Sequence, residues 1–148
     1  MEQSLVLLKP DAIQRGLAGK IIYRLEEKGL KIVAMKMLLI DKNLAERHYS
    51  IHQGKAFFDD LVKFITSGPI IAAVFQGKNA VEIIRQVMGE TDPAKARSGT
   101  IRGDFGIDIA HNLVHGSDSL ENASKEIELF FQKNEILNYD RELDTWLY

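Results

Sequence analysis

The chain has 148 residues, the length of one ordinary domain, of which 45% are hydrophobic and 27% charged with mixed sign, and it has no cysteine. That much apolar material can bury a core unaided, and the missing cysteines exclude disulfide frameworks and thiolate zinc sites. A net charge of −2 argues against a dedicated nucleic-acid binder, which carries a basic surplus, yet leaves room for a small phosphorylated ligand held by a few cations.

No apolar run approaches the length that crosses a bilayer. The opening MEQSLVLLKPD lacks a basic leader, so it reads as a first strand and not as a signal peptide, and the expected setting is the cytoplasm. Ser4–Leu8 is a short apolar run entering a loop at Lys9-Pro10-Asp11. Ala18–Lys28 places Ile21, Ile22 and Leu25 on one face with Gly29 past its end, the pattern of a glycine-capped helix. Lys31–Ile40, rich in Ile, Val, Met and Leu, reads as a central strand. Asn43–Ile51 and Phe58–Thr66 read as short helices separated by Gln53-Gly54-Lys55.

Ile70–Phe75 is the third apolar strand. Asn79 is placed to cap a helix through Met88 with Val81, Ile84 and Val87 inward. Glu90–Ile109 has Pro93, Gly99, Gly103 and Gly106 and no lasting period, so it reads as a long loop of the kind that is often functional. A short strand, Asn112–His115, leads into a helix from Ser119 to Phe131 with Leu120, Ala123, Ile127 and Phe130 as its inward stripe. This order predicts an α+β, ferredoxin-like sandwich: a four-stranded antiparallel sheet covered by helices, with a long loop insertion and a C-terminal extension over 134–148. Residues 1–148 read as one domain without repeats or linkers. A flavodoxin-like layout competes, but four strands are few for it.

Four histidines are candidates for chemistry. His48 and His52 share the i,i+4 spacing of a metal-binding helix, but no third ligand is evident, and they read as two partly exposed helix residues. His115 precedes Gly116-Ser117-Asp118-Ser119 and a helix start, where unpaired N–H groups and the dipole favour an anion. Asp118 or Ser119 is the N-cap, with Glu121 three residues after Asp118 as in a capping box. An imidazole beside an anion site is a competent nucleophile toward a phosphoryl group. On spacing alone, a structural turn histidine is an equal reading.

Ser117, His115 and Asp118 contain the residue types of a hydrolase triad, but fall within four residues of chain where triads draw on separate segments. Asp104-Phe105-Gly106 matches a protein-kinase triplet with none of its companion motifs. Arg85, Arg97 and Arg102, with Lys9 and Lys95, are possible phosphate partners through bidentate or point-charge contacts. If Arg102 serves a phosphate in this way, Arg102→Ala should lower phosphoryl transfer far more than it changes folding stability. Tyr49, Phe57 and Phe58 flank the short helical pair; two adjacent aromatics cannot both face inward, which leaves Phe57 or Phe58 as a stacking platform.

Taken together, LVLLKPDAIQRG, EEKGLKIVAMKM, HYSIHQGKAFFDDLVKFITSGPIIAAV, VMGETDPAKARSGTIRGDFG and NLVHGSDS resemble the nucleoside diphosphate kinases over essentially the whole chain. The resemblance implies a ping-pong reaction in which a nucleoside triphosphate donates its γ-phosphoryl to His115 and a second nucleoside diphosphate collects it. By matching position it implies that Lys9, Arg85, Thr91, Arg102 and Asn112 contact phosphates and sugar, and that Phe57 stacks on the base. Tyr49, Ser117 and Glu126 would support the site. It also implies Mg²⁺ bridging the nucleotide phosphates without an all-protein metal site, and a homo-oligomer, with the tail DTWLY favouring a hexamer over a tetramer. Two departures stand out: His111 where the family usually has arginine, and Ser98 where it usually has proline. Both are expected to affect loop stability or subunit contact, not activity.

Three other readings remain in view. A non-catalytic nucleotide-binding relative should lack the histidine or the cations. A histidine phosphotransfer domain is a helical bundle, against which the strand-like runs Ser4–Leu8 and Ile70–Phe75 argue. Nucleic-acid binding as a main role conflicts with the charge.

Overall fold

The structure is a computed structural model that describes residues 1–148. Four strands, β1 (Glu2–Leu8), β2 (Lys31–Leu38), β3 (Ile70–Gly77) and β4 (Val114–Gly116), form one sheet in the order β2-β3-β1-β4. Every neighbouring pair is antiparallel. With helices packed on the sheet, this is the ferredoxin-like α+β arrangement that the strand order predicts.

The apolar run in β1 lacks alternation because both faces of the sheet are covered. Leu5 and Leu7 point into one core, with Ile70, Ala72 and Val74 of β3. The helices α3 (Lys42–His48), α4 (Phe58–Ile65) and α7 (Leu120–Phe130) close that face with Ala45, Val62, Ile65, Ile127 and Phe130. Val6 and Leu8 point the other way, with Ala73 and Phe75, against α2 (Ala18–Glu27) and α5 (Ala80–Met88). Residues such as Leu7, Ile21 and Ile84 are fully buried, and each contributes roughly 1.5–3 kcal/mol.

Several local expectations change. Lys9-Pro10-Asp11 opens a short helix, α1 (Pro10–Gln14), because proline's fixed φ suits the first helical turn. β2 lies at the sheet edge and not at its centre, with Met35, Met37 and Leu39 exposed; an apolar composition records burial on one face, not neighbours on both sides. Asn79 stands before α5 with φ 56 and makes no side-chain cap, since its left-handed backbone turns the chain instead. Leu120 is exposed, and the N-cap of α7 is Ser119, whose Oγ accepts from the Asn122 N–H at 3.1 Å.

The long loop is more ordered than its composition suggests. It holds a short helix, α6 (Ile101–Phe105), capped by the Thr100 hydroxyl, which accepts from Gly103 N–H at 3.0 Å. Arg24 pairs with Asp104 at 2.6 Å and lies over the Phe105 ring, and Arg15 donates to the Phe105 carbonyl at 2.7 Å. The Asp104-Phe105-Gly106 triplet therefore fastens α6 to α2. A Cβ on Gly103 would come within 1.9 Å of the Arg97 carbonyl oxygen, so only glycine fits.

The chain after α7 runs back along the start of β2. Leu137 N–H donates to Val33 at 2.9 Å, Lys31 Nζ donates to the Tyr139 carbonyl, and Arg141 reaches the Gly29 carbonyl at 3.0 Å. A last short helix, α8 (Asp144–Leu147), places Leu147 against Gly29 and leaves Trp146 exposed. No helix is long and apolar enough to cross a membrane.

Candidate active site

A single open cavity of about 1330 Å³ lies where β1, β4, α3, α7 and the long loop meet. Lys9, Tyr49, Phe57, Arg85, Thr91, Arg102, Asn112, His115 and Glu126 all line it. Ser117 stands just behind, fully buried. The ten residues that the resemblance assigned to the site thus converge from segments far apart in the chain, whereas Lys95 and Arg97, also considered as phosphate partners, are not on the lining.

His115 sits on β4, opposite Leu7 of β1. Glycine at 116 lets β4 lie close to α5: a Cβ would come within 2.7 Å of the Met88 sulfur, so Met88 would have to shift to admit one. Two residues on, Ser117 donates to Glu126 Oε1 at 2.5 Å. The same carboxylate contacts His115 Nε2 through both oxygens, at 3.0 and 3.1 Å. Burial pushes the Glu126 carboxyl up, but the hydrogen bonds from His115 and Ser117 and the neighbouring imidazole charges outweigh it and hold it below the usual range. An ionised carboxylate only accepts, so Nε2 must donate. In the neutral ring the lone pair is then left on Nδ1.

The opposite wall is cationic. Lys9 Nζ donates to Asn112 Oδ1 at 2.8 Å, and Asn112 Nδ2 donates to the Thr91 carbonyl at 3.0 Å. Burial, and then the Arg102 charge, push the Lys9 ammonium down to about 8, with Asp11 opposing. Burial, and then the Arg85 charge, lower Arg102 to about 10. Crowded cations without enough counter-charge mark a place prepared for an anion. Arg85 is exposed and held only by a long 3.4 Å contact to the Asp118 carbonyl, so its guanidinium is free to turn toward a ligand.

Arg102 is built differently. Its Nε, Nη1 and Nη2 donate to the carbonyls of Asn112 (3.2 Å), Gly89 (3.0 Å) and Val114 (2.7 Å). Two of these acceptors flank Leu113, which has φ 75. The Val114 N–H returns to the Asn112 carbonyl at 2.9 Å, which closes a γ-turn of the rare, strained hand. Asp11 Oδ2 accepts the Leu113 N–H at 3.0 Å and steadies the turn. Arg102 therefore braces the loop as well as lining the cavity, so its removal touches folding and not ligand contact alone.

Of the two adjacent aromatics, Phe58 is buried and Phe57 is 46% exposed at the cavity rim. Tyr49 is buried beneath it; burial, then the Glu126 charge, push its hydroxyl up to about 12, so it stays a neutral donor. His111 is exposed on the rim, 3.1 Å from Asp108 and edge-on to Phe64.

His48 is the residue the sequence reading passed over. As a residue it is partly exposed, as expected, but its ring lies 4.7 Å from that of His115, nearly perpendicular to it, and both its nitrogens are shielded from solvent without a partner. Burial, and then the His115 charge, push it down to about 3. The available signal was its position immediately before Tyr49, on the helix already assigned to the site. His52 points elsewhere, toward Phe57 and Lys55.

Fold and site together define an α+β enzyme centred on a carboxylate-held histidine that faces a cationic cavity. Comparison with known proteins makes the class specific. The family model described as nucleoside diphosphate kinase matches residues 2–136. Nucleoside diphosphate kinases from Roseiflexus sp. strain RS-1 and Dehalococcoides mccartyi are 55% and 58% identical, over 100% and 95% of this chain and 99% of each relative. The solved structure of a halophilic nucleoside diphosphate kinase from Halobacterium salinarum in complex with CDP superposes with a TM-score of 0.97 at 50% identity, covering 99% of this chain and 98% of that one. The chain belongs to the nucleoside diphosphate kinase family, and its reaction is phosphoryl transfer between nucleotides.

Proposed function

We propose that the chain moves the γ-phosphoryl of ATP or another nucleoside triphosphate onto Nδ1 of His115, then onto a second nucleoside diphosphate. The observation that carries this reading is the grip of Glu126 on His115 Nε2. It orients the ring, leaves the lone pair on Nδ1, and sets a negative charge behind a ring that becomes cationic when phosphorylated. As the Nδ1–P bond forms, the bond from the γ-phosphorus to the bridging oxygen breaks, and that oxygen leaves with the electron pair on the diphosphate. The Nε2 proton stays between His115 and Glu126 throughout. The second half-reaction is the reverse, with a new diphosphate as acceptor.

Lys9, Arg85 and Arg102 offset charge spread over the phosphate oxygens. Thr91 and Asn112 position phosphate and sugar, and the Tyr49 hydroxyl is a neutral donor close to His115. Phe57, with Ile109 also exposed on the lining, offers stacking that does not choose among bases. Mg²⁺ fits as part of the substrate. Of the carboxylates lining the cavity, Glu126 is engaged, which leaves Asp60 and Asp118, too few for an all-protein cage. Carried on the nucleotide phosphates, the ion would neutralise charge there.

We also read residues 1–148 as one domain, supported by a single sheet covered on both faces. We read the protein as cytoplasmic. A homo-oligomer is supported by the exposed Met35 and Met37 on edge strand β2, Leu39 just past it and Trp146 in the tail; the resemblance of the tail favours a hexamer over a tetramer, and sedimentation tests it. The transfer reading is tested with γ-labelled MgATP. An acid-labile, base-stable phosphoprotein should form, discharge onto GDP and carry its label on Nδ1. Label persisting in His115→Ala, or found mainly on Nε2, overturns the reading.

A further inference from the structure

His48 poses a problem that the transfer reaction leaves unsolved. An imidazole always presents at least one donor, and in its neutral form also one acceptor. Both its nitrogens are shielded from water and unpartnered, an arrangement that costs free energy and calls for a missing partner. The cage around it is built from donors of electron pairs: a donor atom from each of His48, His115 and Glu126 lies within 4.8 Å of the other two.

We propose that His48, His115 and Glu126 form a binding site for one zinc-type divalent transition ion, which captures the nucleophilic histidine from its Nε2 side. Two imidazoles and a carboxylate are the ligand set of tetrahedral zinc with one open position. Zinc bonds of about 2.0–2.1 Å at tetrahedral angles set ligand atoms roughly 3.3 Å apart. The His115 Nε2–Glu126 separations of 3.0 and 3.1 Å are already close to that spacing. His48 stands edge-on to His115, so a modest side-chain rotation brings its donor in. The entering ion takes the place of the proton shared by His115 Nε2 and Glu126, and that proton passes through solvent to Nδ1, so His115 stays a neutral imidazole ligand and its nucleophilic lone pair is occupied. The fourth position is left for water. Imidazole ligands favour zinc over Mg²⁺, which demands oxygen ligands, so the ion that travels with substrate does not compete here. Ser117, which donates to Glu126, steadies the carboxylate from behind.

The test uses the full-length, nucleotide-free protein with chelator-treated buffer and Zn²⁺ alone, followed by calorimetry. The transfer reading is tested without zinc, so either proposal can fail while the other stands. One Zn²⁺ per chain is expected. Binding should persist in His52→Gln and His111→Gln, weaken at least about tenfold in His48→Gln, and be unaffected by excess Mg²⁺. Co²⁺ should give the intense visible bands of a tetrahedral site, and ¹⁵N resonances of both His48 and His115 should shift on Zn²⁺ addition. Those two measurements on the unaltered protein decide the matter if His48→Gln does not fold. No binding, equal binding in a folded His48→Gln, or unshifted His48 resonances overturn the proposal.

Discussion

Two regions line the same cavity and are held together in opposite ways. On one side, His115, Ser117 and Glu126 are joined side chain to side chain, over a stretch of β4 and the first turns of α7. On the other, Arg102 is joined to backbone, with all three kinds of guanidinium nitrogen on carbonyls from two places in the chain, Gly89 and the turn around Leu113. The first arrangement tunes a nucleophile and leaves the backbone to the sheet and helix. The second makes a cation of the cavity wall serve as the brace of a loop that has little regular structure of its own. Catalytic and folding roles therefore separate cleanly only where secondary structure already satisfies the backbone.

The largest expected effect comes from breaking the brace. Arg102→Ala removes a donor from each of three carbonyls, two of them at a strained turn, in a mostly buried place. A stability loss of about 3–5 kcal/mol is expected by denaturant titration, together with a transfer rate lower by more than about a hundredfold. This replaces the expectation that transfer alone would suffer. Arg102→Lys restores the charge but not the three-way geometry, so it should recover little of either. Unchanged stability in Arg102→Ala would break the contrast between the two regions.

Glu126→Gln addresses the other region and should split the effects. The amide oxygen still accepts from Nε2–H, but the negative charge behind the ring is gone. The rate of phosphoenzyme formation should fall by about 10–100-fold while melting temperature changes little. Part of the label should move to Nε2, because the tautomer is less firmly held. Loss of stability comparable to that of Arg102→Ala would mean that the relay is also a structural brace.

Much of this was legible in residues. The uninterrupted Ser4–Leu8 and Ile70–Phe75 announced apolar strands, and the helical faces of 18–28 and 79–88 announced the layers that cover them. NLVHGSDS named the nucleophile through resemblance, where spacing alone left an even choice. What stayed hidden depends on distance in the chain. Arg102 bonds to carbonyls, which every residue carries, so no side-chain motif records its bracing role. His48 meets His115 only because α3 and β4 pack together, and the edge position of β2 depends on strand order, which composition does not encode. Asn79 failed as a cap because its left-handed backbone, another habit of asparagine, prevailed.

A pH dependence sharpens the cationic side further. Lys9 is held at about 8 in the folded chain against an ordinary value of 10.5. Between those values the unfolded chain binds the extra proton, so stability from this group rises with pH through the window and the cost of burying the charge is felt below about 8. A bound phosphate reverses the preference, because it favours the charged ammonium. Nucleotide binding above pH 8 should therefore take up a proton, and affinity should fall by up to about tenfold per pH unit. Calorimetry in buffers of different ionisation enthalpy measures the uptake. Lys9→Met should abolish it, and uptake that persists would assign the proton to another group.

The smallest effect is expected at the rim. His111 is 58% exposed, pairs only with Asp108 three residues away, and lies beside Asn112 without sharing its buried contacts. The Asp108 carboxyl is held below its usual range first by the His111 side-chain hydrogen bond and then by the His111 backbone N–H, which makes the pair a local clasp of the loop end. His111→Arg restores the residue that resembling sequences usually carry and adds a permanent charge in high dielectric, where screening is strong. The nucleotide dissociation constant should change by less than about threefold, and the change should shrink as salt is raised from about 50 to about 300 mM, because added salt shortens the screening length. A tenfold, salt-insensitive gain would instead mean that residue 111 reaches the desolvated phosphate site. In that case the boundary between brace and binding wall would lie one residue further out than Asn112.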